Sequence, residues 1–272
     1  MPLAIQFAKS GHDVLVIKKS PTHAPHPRIK ILATDITTLT SDQLPKQIDK
    51  AFYLLSAASY TQADYEHAYL HGLSHFCATI QPALDGPAFF TSSTSVYGQQ
   101  DGSWVDENSP TTPLHFSGRI MLEAEQRFSQ YSNKHCSIRL SGIYGPGRCR
   151  IIDSVKALSP PPHNLYTNRI HQVDAVNALI HLSELTELAP TYIVTDNTPT
   201  SYAPIYQFTQ QLLGLPPASF TTNATHPTSR GGNKRLLNTR LRKTGFICTY
   251  PSYKEGIEAI VQSTRPPYLQ PQ

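Results

Sequence analysis

The 272-residue sequence has no apolar run near the roughly 18 residues that span a bilayer, which excludes a membrane helix. Its first nine residues, Met1-Pro2-Leu3-Ala4-Ile5-Gln6-Phe7-Ala8-Lys9, carry no cleavage-like site and do not read as a secretory signal. Cysteine is scarce. Cys77, Cys136, Cys149 and Cys248 are far apart and form no CxxC pair, which excludes a disulfide scaffold and suggests reduced thiols in a cytoplasm. The twelve histidines predict no metal centre. Charge is low and nearly balanced, at +4, so nothing argues for a nucleic-acid or membrane-surface partner. The basic stretch Arg230 to Lys243 has Leu236, Leu237 and Leu241 interleaved, as in a packed helix with a solvated basic face. There is no internal repeat, and no GxGxxG occurs anywhere.

What is present is folded and soluble in composition, with 39% hydrophobic residues. Short apolar runs recur at Val14–Ile17, Ile29–Leu32, Ala51–Leu55, Ala88–Thr91, Ile138–Leu140 and Tyr192–Val194. Most are continuous rather than alternating, which predicts strands buried on both faces. Amphipathic stretches separate them. One runs from about Asp64 to Leu84, with Tyr65, Tyr69, Leu73, Phe76, Cys77 and Ile80 at helical spacing. Another is predicted to start at Thr112-Pro113 and to continue through Phe116, Ile120, Ala124 and Phe128. Strand–helix alternation of this kind predicts an α/β fold built on a doubly wound parallel sheet, with a ligand cleft at the carboxyl ends of the strands.

The pattern changes after Cys149. A proline loop at 160–162, helices at about 173–185, 203–213 and 255–262, and a strand at Ile193 predict a smaller C-terminal lobe. The expected division is 1–150, with 168–196 contributing, against 151–167 and 197–272.

The chain opens inside a helix that ends at Gly11, ahead of the strand at Val14. A nucleotide-binding sheet ordinarily opens with a strand and a glycine-rich turn whose N–H groups meet the pyrophosphate. Taken literally, this sequence has no phosphate cradle and leaves a central sheet position unpaired. The expectation is a start assigned at an internal Met, or a truncated chain.

Four segments together carry a family resemblance. Thr91-Ser92-Ser93-Thr94-Ser95-Val96-Tyr97-Gly98 resembles the SSxxVYG strand end of extended short-chain dehydrogenases/reductases, the nucleotide-sugar epimerase and dehydratase group. The run from Arg139 through Tyr144-Gly145-Pro146-Gly147-Arg148 resembles their RxxxxYGPG segment, and Arg169-Ile170-His171-Gln172-Val173-Asp174 their RxIHVxD segment. Asn233-Lys234-Arg235 with Gly245-Phe246 and Tyr250-Pro251 resembles the ending of the atypical, YeeZ-like subgroup.

The resemblance implies a Rossmann-like fold and hydride transfer between a nicotinamide cofactor and a small polar, possibly sugar-derived, carbonyl or alcohol compound. In that family a Tyr and a Lys four residues later exchange a proton with substrate, beside a Ser or Thr of the preceding strand. Ser93 matches the strand position. The Tyr–Lys pair is absent from the matching helix. A register anchored on Glu123 puts His115 and Arg119 at the two positions, and one anchored on Glu125 puts Ser117 and Met121 there. His115 would shuttle a proton and Arg119 would bind ribose or phosphate; alternatively, Arg119 pairs with Glu123 on the surface and His115 is solvated.

For the cofactor, Lys18 and Lys19 end the second strand of such a fold, where an acidic residue would bind an NAD ribose, so NADP is preferred over NAD. Asp35-Ile36 would flank adenine. Ser56-Ala57-Ala58 is small enough for backbone to pass close to the cofactor, and Tyr144 and Pro146 would stand near the nicotinamide. Asp174 is expected to cap or pair locally. Arg169, Lys234 and Arg235 are candidates for an anionic substrate or, as for most basic residues, for the surface. The resemblance also implies a homodimer. A catalytically inactive NAD(P)-binding sensor or scaffold, or a fragment that binds no cofactor, stand as alternatives.

Overall fold

The computed structural model describes residues 1–132, 134–159, 164–217 and 232–264. The expected proline loop at 160–162 and the start of the basic stretch at Arg230 lie outside them. The elements run α1 (Pro2–Lys9), β1 (Val14–Lys18), β2 (Ile29–Ala33), β3 (Ala51–Tyr53), α2 (Gln62–Glu66), α3 (Leu73–Ile80), β4 (Ala88–Ser93), β5 (Trp104–Val105), α4 (Phe116–Phe128), β6 (His135–Leu140) and β7 (Gly142–Tyr144). There follow α5 (Arg150–Lys156), β8 (Tyr166–Thr167), β9 (Arg169–His171), α6 (Gln172–Ser183), β10 (Thr191–Val194), β11 (Thr200–Ser201), α7 (Tyr202–Leu212), β12 (Arg235–Leu236), α8 (Thr239–Lys243) and α9 (Tyr253–Thr264). The central sheet is parallel, in the order β10-β6-β4-β3, as the strand–helix alternation predicts. β1 and β2 form a separate parallel pair, in register from Val14 opposite Ile29 to Lys18 opposite Ala33. Among the described residues, neither the second edge of β1 nor that of β3 carries a ladder.

Burial follows pairing. β4, β6 and β10 are largely buried on both faces. β1 is half-buried throughout, and β2 is mixed, with Ile29 buried and Lys30 and Ala33 exposed; among the described residues each has a strand on one edge only. The strand predicted to run to Leu55 ends at Tyr53, where its ladder with β4 ends, and Leu54 and Leu55 are exposed.

The chain divides into two units. The first comprises Met1–Ser93, Pro113–Ile138 and Val176–Thr191. Its core is aromatic. Phe52 stacks on Phe89 with centroids 4.8 Å apart, Phe7 of α1 meets Phe52 at 5.4 Å, and Phe90 meets Phe128 of α4 at 5.8 Å. The long helix predicted from Asp64 is interrupted by a π-turn over His67–Gly72. Tyr53 Oη donates to the Ala68 carbonyl at 2.6 Å, and its hydroxyl fills the space beside Gly72 where a Cβ would stand at 2.7 Å. A side chain reaching into the helical ladder in this way produces the bulge.

The second unit comprises Thr94–Thr112, Arg139–Ala175 and Tyr192–Gln272. It pairs β5 with β12 and β7 with β9 in parallel, and β8 with β11 antiparallel. Its core gathers Tyr144, Ile152, Ile205, Tyr253 and Ile257. The glycine of the VYG motif has a steric role here, since a Cβ at Gly98 would lie 2.0 Å from the Thr112 carbonyl oxygen. The same close approach corrects the start of the following helix. With residues 110–112 held against Gly98 and Gln99, the chain stays extended through His115, and α4 begins at Phe116 rather than at Pro113.

Candidate functional site

In the first unit, the expected residues stand at the carboxyl ends of parallel strands. Lys18 closes β1 and is half-buried; Lys19 follows it, with its side chain 83% exposed and Nζ 3.3 Å from Asp35 Oδ2. Asp35 follows β2. Its Oδ1 accepts from the Thr37 backbone N–H at 3.0 Å and from Thr37 Oγ1 at 2.8 Å, which caps a short 3₁₀ turn. Those Thr37 bonds first, then the Lys19 ammonium, hold its carboxyl down to about 2. Ile36 packs toward Gly72. Ser56 and Ala58 are exposed after β3, and the Ala57 N–H points at Tyr69 Oη, 3.4 Å away.

Ser93 ends β4 and is half-buried. Its neighbour Ser92 donates from Oγ to Glu125 Oε1 of α4 at 2.5 Å, with both residues buried. This bond fixes which face of α4 meets β4. Ser117, Met121 and Glu125 lie four apart on that face, and all are buried. Glu123 points elsewhere and pairs with Arg127 at 2.6 Å, so the expected Arg119–Glu123 pair does not form. Arg119 is exposed and donates to the Leu114 carbonyl at 2.9 Å. His115 is the N-cap residue of α4 but makes no side-chain cap, and its Nε2 is buried without a hydrogen-bond partner. Ser117 Oγ lies 3.1 Å from Tyr60 Oη.

In the second unit, Tyr144 is a core residue. Its phenol donates to the Ser252 carbonyl at 3.4 Å, its ring stands edge-on to His171 at 5.3 Å, and burial pushes its pKa up. Pro146 is exposed in the turn that joins Gly145 to Arg148. Asp174 reaches beyond its own helix: its carboxylate accepts from the Thr249 and Tyr250 N–H groups at 2.7 and 2.8 Å. Lys234 is buried and donates to the Tyr97 carbonyl at 2.9 Å, and burial pulls its pKa down to about 8. The Arg235 guanidinium lies between the rings of Trp104 and Tyr166, at 4.7 and 4.8 Å. His67, His71 and His75 stand four apart, yet His75 Nε2 lies 2.8 Å from the Leu39 carbonyl oxygen. No group of three His, Cys, Asp or Glu side chains converges on a metal position among the described residues. No helix among them is long and apolar enough to cross a membrane.

No family model matches the chain. Protein YeeZ of Escherichia coli K12 is 24% identical over 261 residues, covering 92% of each chain. A Methylobacillus flagellatus protein provisionally described as an NAD-dependent epimerase/dehydratase is 31% identical, with a TM-score of 0.78 over 97% of this chain and 94% of that one. The chain belongs to the NAD-dependent epimerase/dehydratase family. The Bacillus cereus UDP-glucuronic acid 4-epimerase, solved with NAD, shares the fold at 19% identity, a TM-score of 0.76, and 97% and 95% coverage. In this epimerase/dehydratase member, sequence reasoning missed two contacts, Ser92–Glu125 and Tyr60–Ser117. Glu125 was visible as the anchor of one helix register. Tyr60 lies in no motif, and nothing in its neighbourhood announces a partner 57 residues on.

Proposed function

We propose that the protein is an NAD(P)-dependent oxidoreductase or epimerase that acts on a small polar, sugar-derived carbonyl or alcohol compound in the cytoplasm. The observation that carries this reading is the buried Ser92–Glu125 bond, which docks α4 on β4 with the start of the helix toward the Ser93 end. Family membership supports it independently. The residues of the first unit suit the two ends of a nicotinamide dinucleotide. Lys18, Lys19, Asp35 and Ile36 would hold the adenosine end, and Ser56, Ala57, Ala58 and Ser93 would line the nicotinamide end. Such a cofactor supplies or accepts hydride at the substrate carbon. Ser93 Oγ would hydrogen-bond the substrate oxygen. Lys18 and Lys19 would attract the phosphates of the cofactor, and binding should weaken with salt.

NADP is preferred over NAD in this reading. Lys19 is the exposed partner of its pair with Asp35, and its ammonium turns to an added phosphate at little cost. Isothermal titration should find NADPH bound more tightly than NADH. Lys19→Glu should weaken NADPH by about tenfold and leave NADH nearly unchanged, the scale of one charge-assisted hydrogen bond. Equal affinities for the two cofactors, unchanged in the variant, would remove the NADP preference. A second reading, a cofactor-binding sensor without turnover, is favoured by Ser117 and Met121 on the strand-facing side of α4, neither of which exchanges protons near neutral pH. It predicts cofactor binding with no consumption of NAD(P)H.

A further inference from the structure

Reduction of a carbonyl, or its reverse, needs a group that gives or takes a proton at the substrate oxygen. Near the start of α4, most side chains are unsuited to this. Ser117 and Met121 have no titrating group. Arg119 keeps its protons and is bonded to the Leu114 carbonyl. The Nε2 of His115 is enclosed. One phenol of the same unit does reach this place. Tyr60, two residues beyond Ala58, sets its Oη 3.1 Å from Ser117 Oγ.

The ring of Tyr60 is held on two sides. It lies against Phe116 with centroids 4.9 Å apart, and it meets Tyr65 edge-on at 5.6 Å. Tyr65 in turn touches Phe116 at 5.5 Å, which closes a triangle of rings over the first turn of α4. Tyr60 nevertheless keeps 37% of its surface exposed.

The helix register says where that phenol stands. Phe128 faces Phe90 and Glu125 faces Ser92, so moving back along α4 leads past the carboxyl end of β4. Ser117 lies two turns further on, about 12 Å along the axis from Glu125. Its hydroxyl therefore marks the side of the strand end that carries Ser93.

We propose that Tyr60 is the proton-transfer residue of this protein, positioned by Ser117 and the Phe116–Tyr65 rings. The inference rests on the oxidoreductase reading above and on a reduced nicotinamide dinucleotide as hydride source. In the reducing direction, the substrate carbonyl carbon gains a hydride, and with it two electrons. The carbonyl π pair moves to oxygen, which takes the proton from Tyr60 Oη. Water at the exposed side restores the phenol. In the oxidising direction, the phenolate takes the alcohol proton while hydride leaves the same carbon for the oxidised cofactor.

The test compares the full chain with Tyr60→Phe, which keeps the ring contacts. NADPH affinity is measured by calorimetry, NADPH oxidation is followed with DL-glyceraldehyde and UDP-4-keto sugars as probes, and O-acetylation of Tyr60 by N-acetylimidazole is followed by mass spectrometry. The expected result has three parts. NADPH binds both proteins within about twofold, kcat falls at least a hundredfold in the variant, and bound NADPH slows acetylation of Tyr60 severalfold in the wild type. Turnover that survives Tyr60→Phe overturns the inference and leaves the oxidoreductase reading intact, as does an acetylation rate indifferent to NADPH in a protein that binds and oxidises it. Binding without turnover in the wild type overturns both the inference and the oxidoreductase reading in favour of the sensor. No binding to either protein overturns the cofactor reading itself.

Discussion

Phe90→Ala is expected to destabilise the first unit by about 3–5 kcal/mol, the range for emptying a fully buried aromatic site. Phe90 is 0% exposed in the middle of β4. Its ring meets Phe128 at 5.8 Å, Tyr53 at 6.2 Å and Tyr69 at 6.3 Å. These neighbours belong to a strand and two helices and are large and stiff, so they cannot collapse into the space, and the cavity cost adds to the lost burial. Thermal unfolding should move down by roughly 10 °C or more. Leu54→Ala, at an exposed position just past β3, should lose under about 1 kcal/mol. Equal losses at the two sites would contradict the aromatic core described here. The consequence reaches the proposed site as well: Ser92 and Ser93 are the next residues but one and two along the strand, and a loosened β4 should weaken the proposed cofactor binding at temperatures well below unfolding.

The second large effect is on pH. Asp196 is 2% exposed, and burial above all pushes its carboxyl from 3.8 up to about 7, with the Thr198 N–H and Arg169 opposing. Between those two values the folded protein holds a proton that the unfolded chain has released. Stability therefore falls as pH rises through that window, by about 4 kcal/mol from this group alone. Asp196→Asn should remove the slope and make the protein more stable than wild type at pH about 8. The Asn side chain can still accept from the Thr198 N–H, and the Asp196 N–H bond to the Arg169 carbonyl at 2.7 Å is untouched. Asp35 acts in the opposite sense and in another window. Its carboxyl is held down to about 2, so its contribution is present above 3.8 and is lost only as pH falls toward 2. Urea unfolding at pH about 5 and 8 separates the two. A wild-type slope of the opposite sign, or one unchanged in Asp196→Asn, would refute the assignment.

Much of the fold was legible because buried strands and turn glycines leave local marks. The run Ala88–Thr91 reads as a strand from apolar continuity. Gly214 likewise ends α7 at a φ of +67°, where the sequence places the stop. What was not legible depends on contacts distant in sequence. Thr112-Pro113 has the composition of a helix start, but the chain there is spoken for by Gly98 and Gln99. Lys234 looks like a surface ammonium; its aliphatic stem and a waiting Tyr97 carbonyl take it inside. The helix register was undecidable between Glu123 and Glu125 until Ser92 was seen to bond one of them. Tyr60 could not be found at all without the fold, since its significance lies in reaching Ser117.

The proposed dinucleotide site lies at the carboxyl ends of β1 to β4. Hydrogen exchange of the full chain, followed by mass spectrometry with and without NADPH titrated into the millimolar range, tests this most directly. Exchange should slow in the peptides that contain Lys18–Lys19, Asp35–Ile36, Ser56–Ala58 and Ser93. A protein that shows no protection in any of them, with NADPH present in excess, would contradict the account.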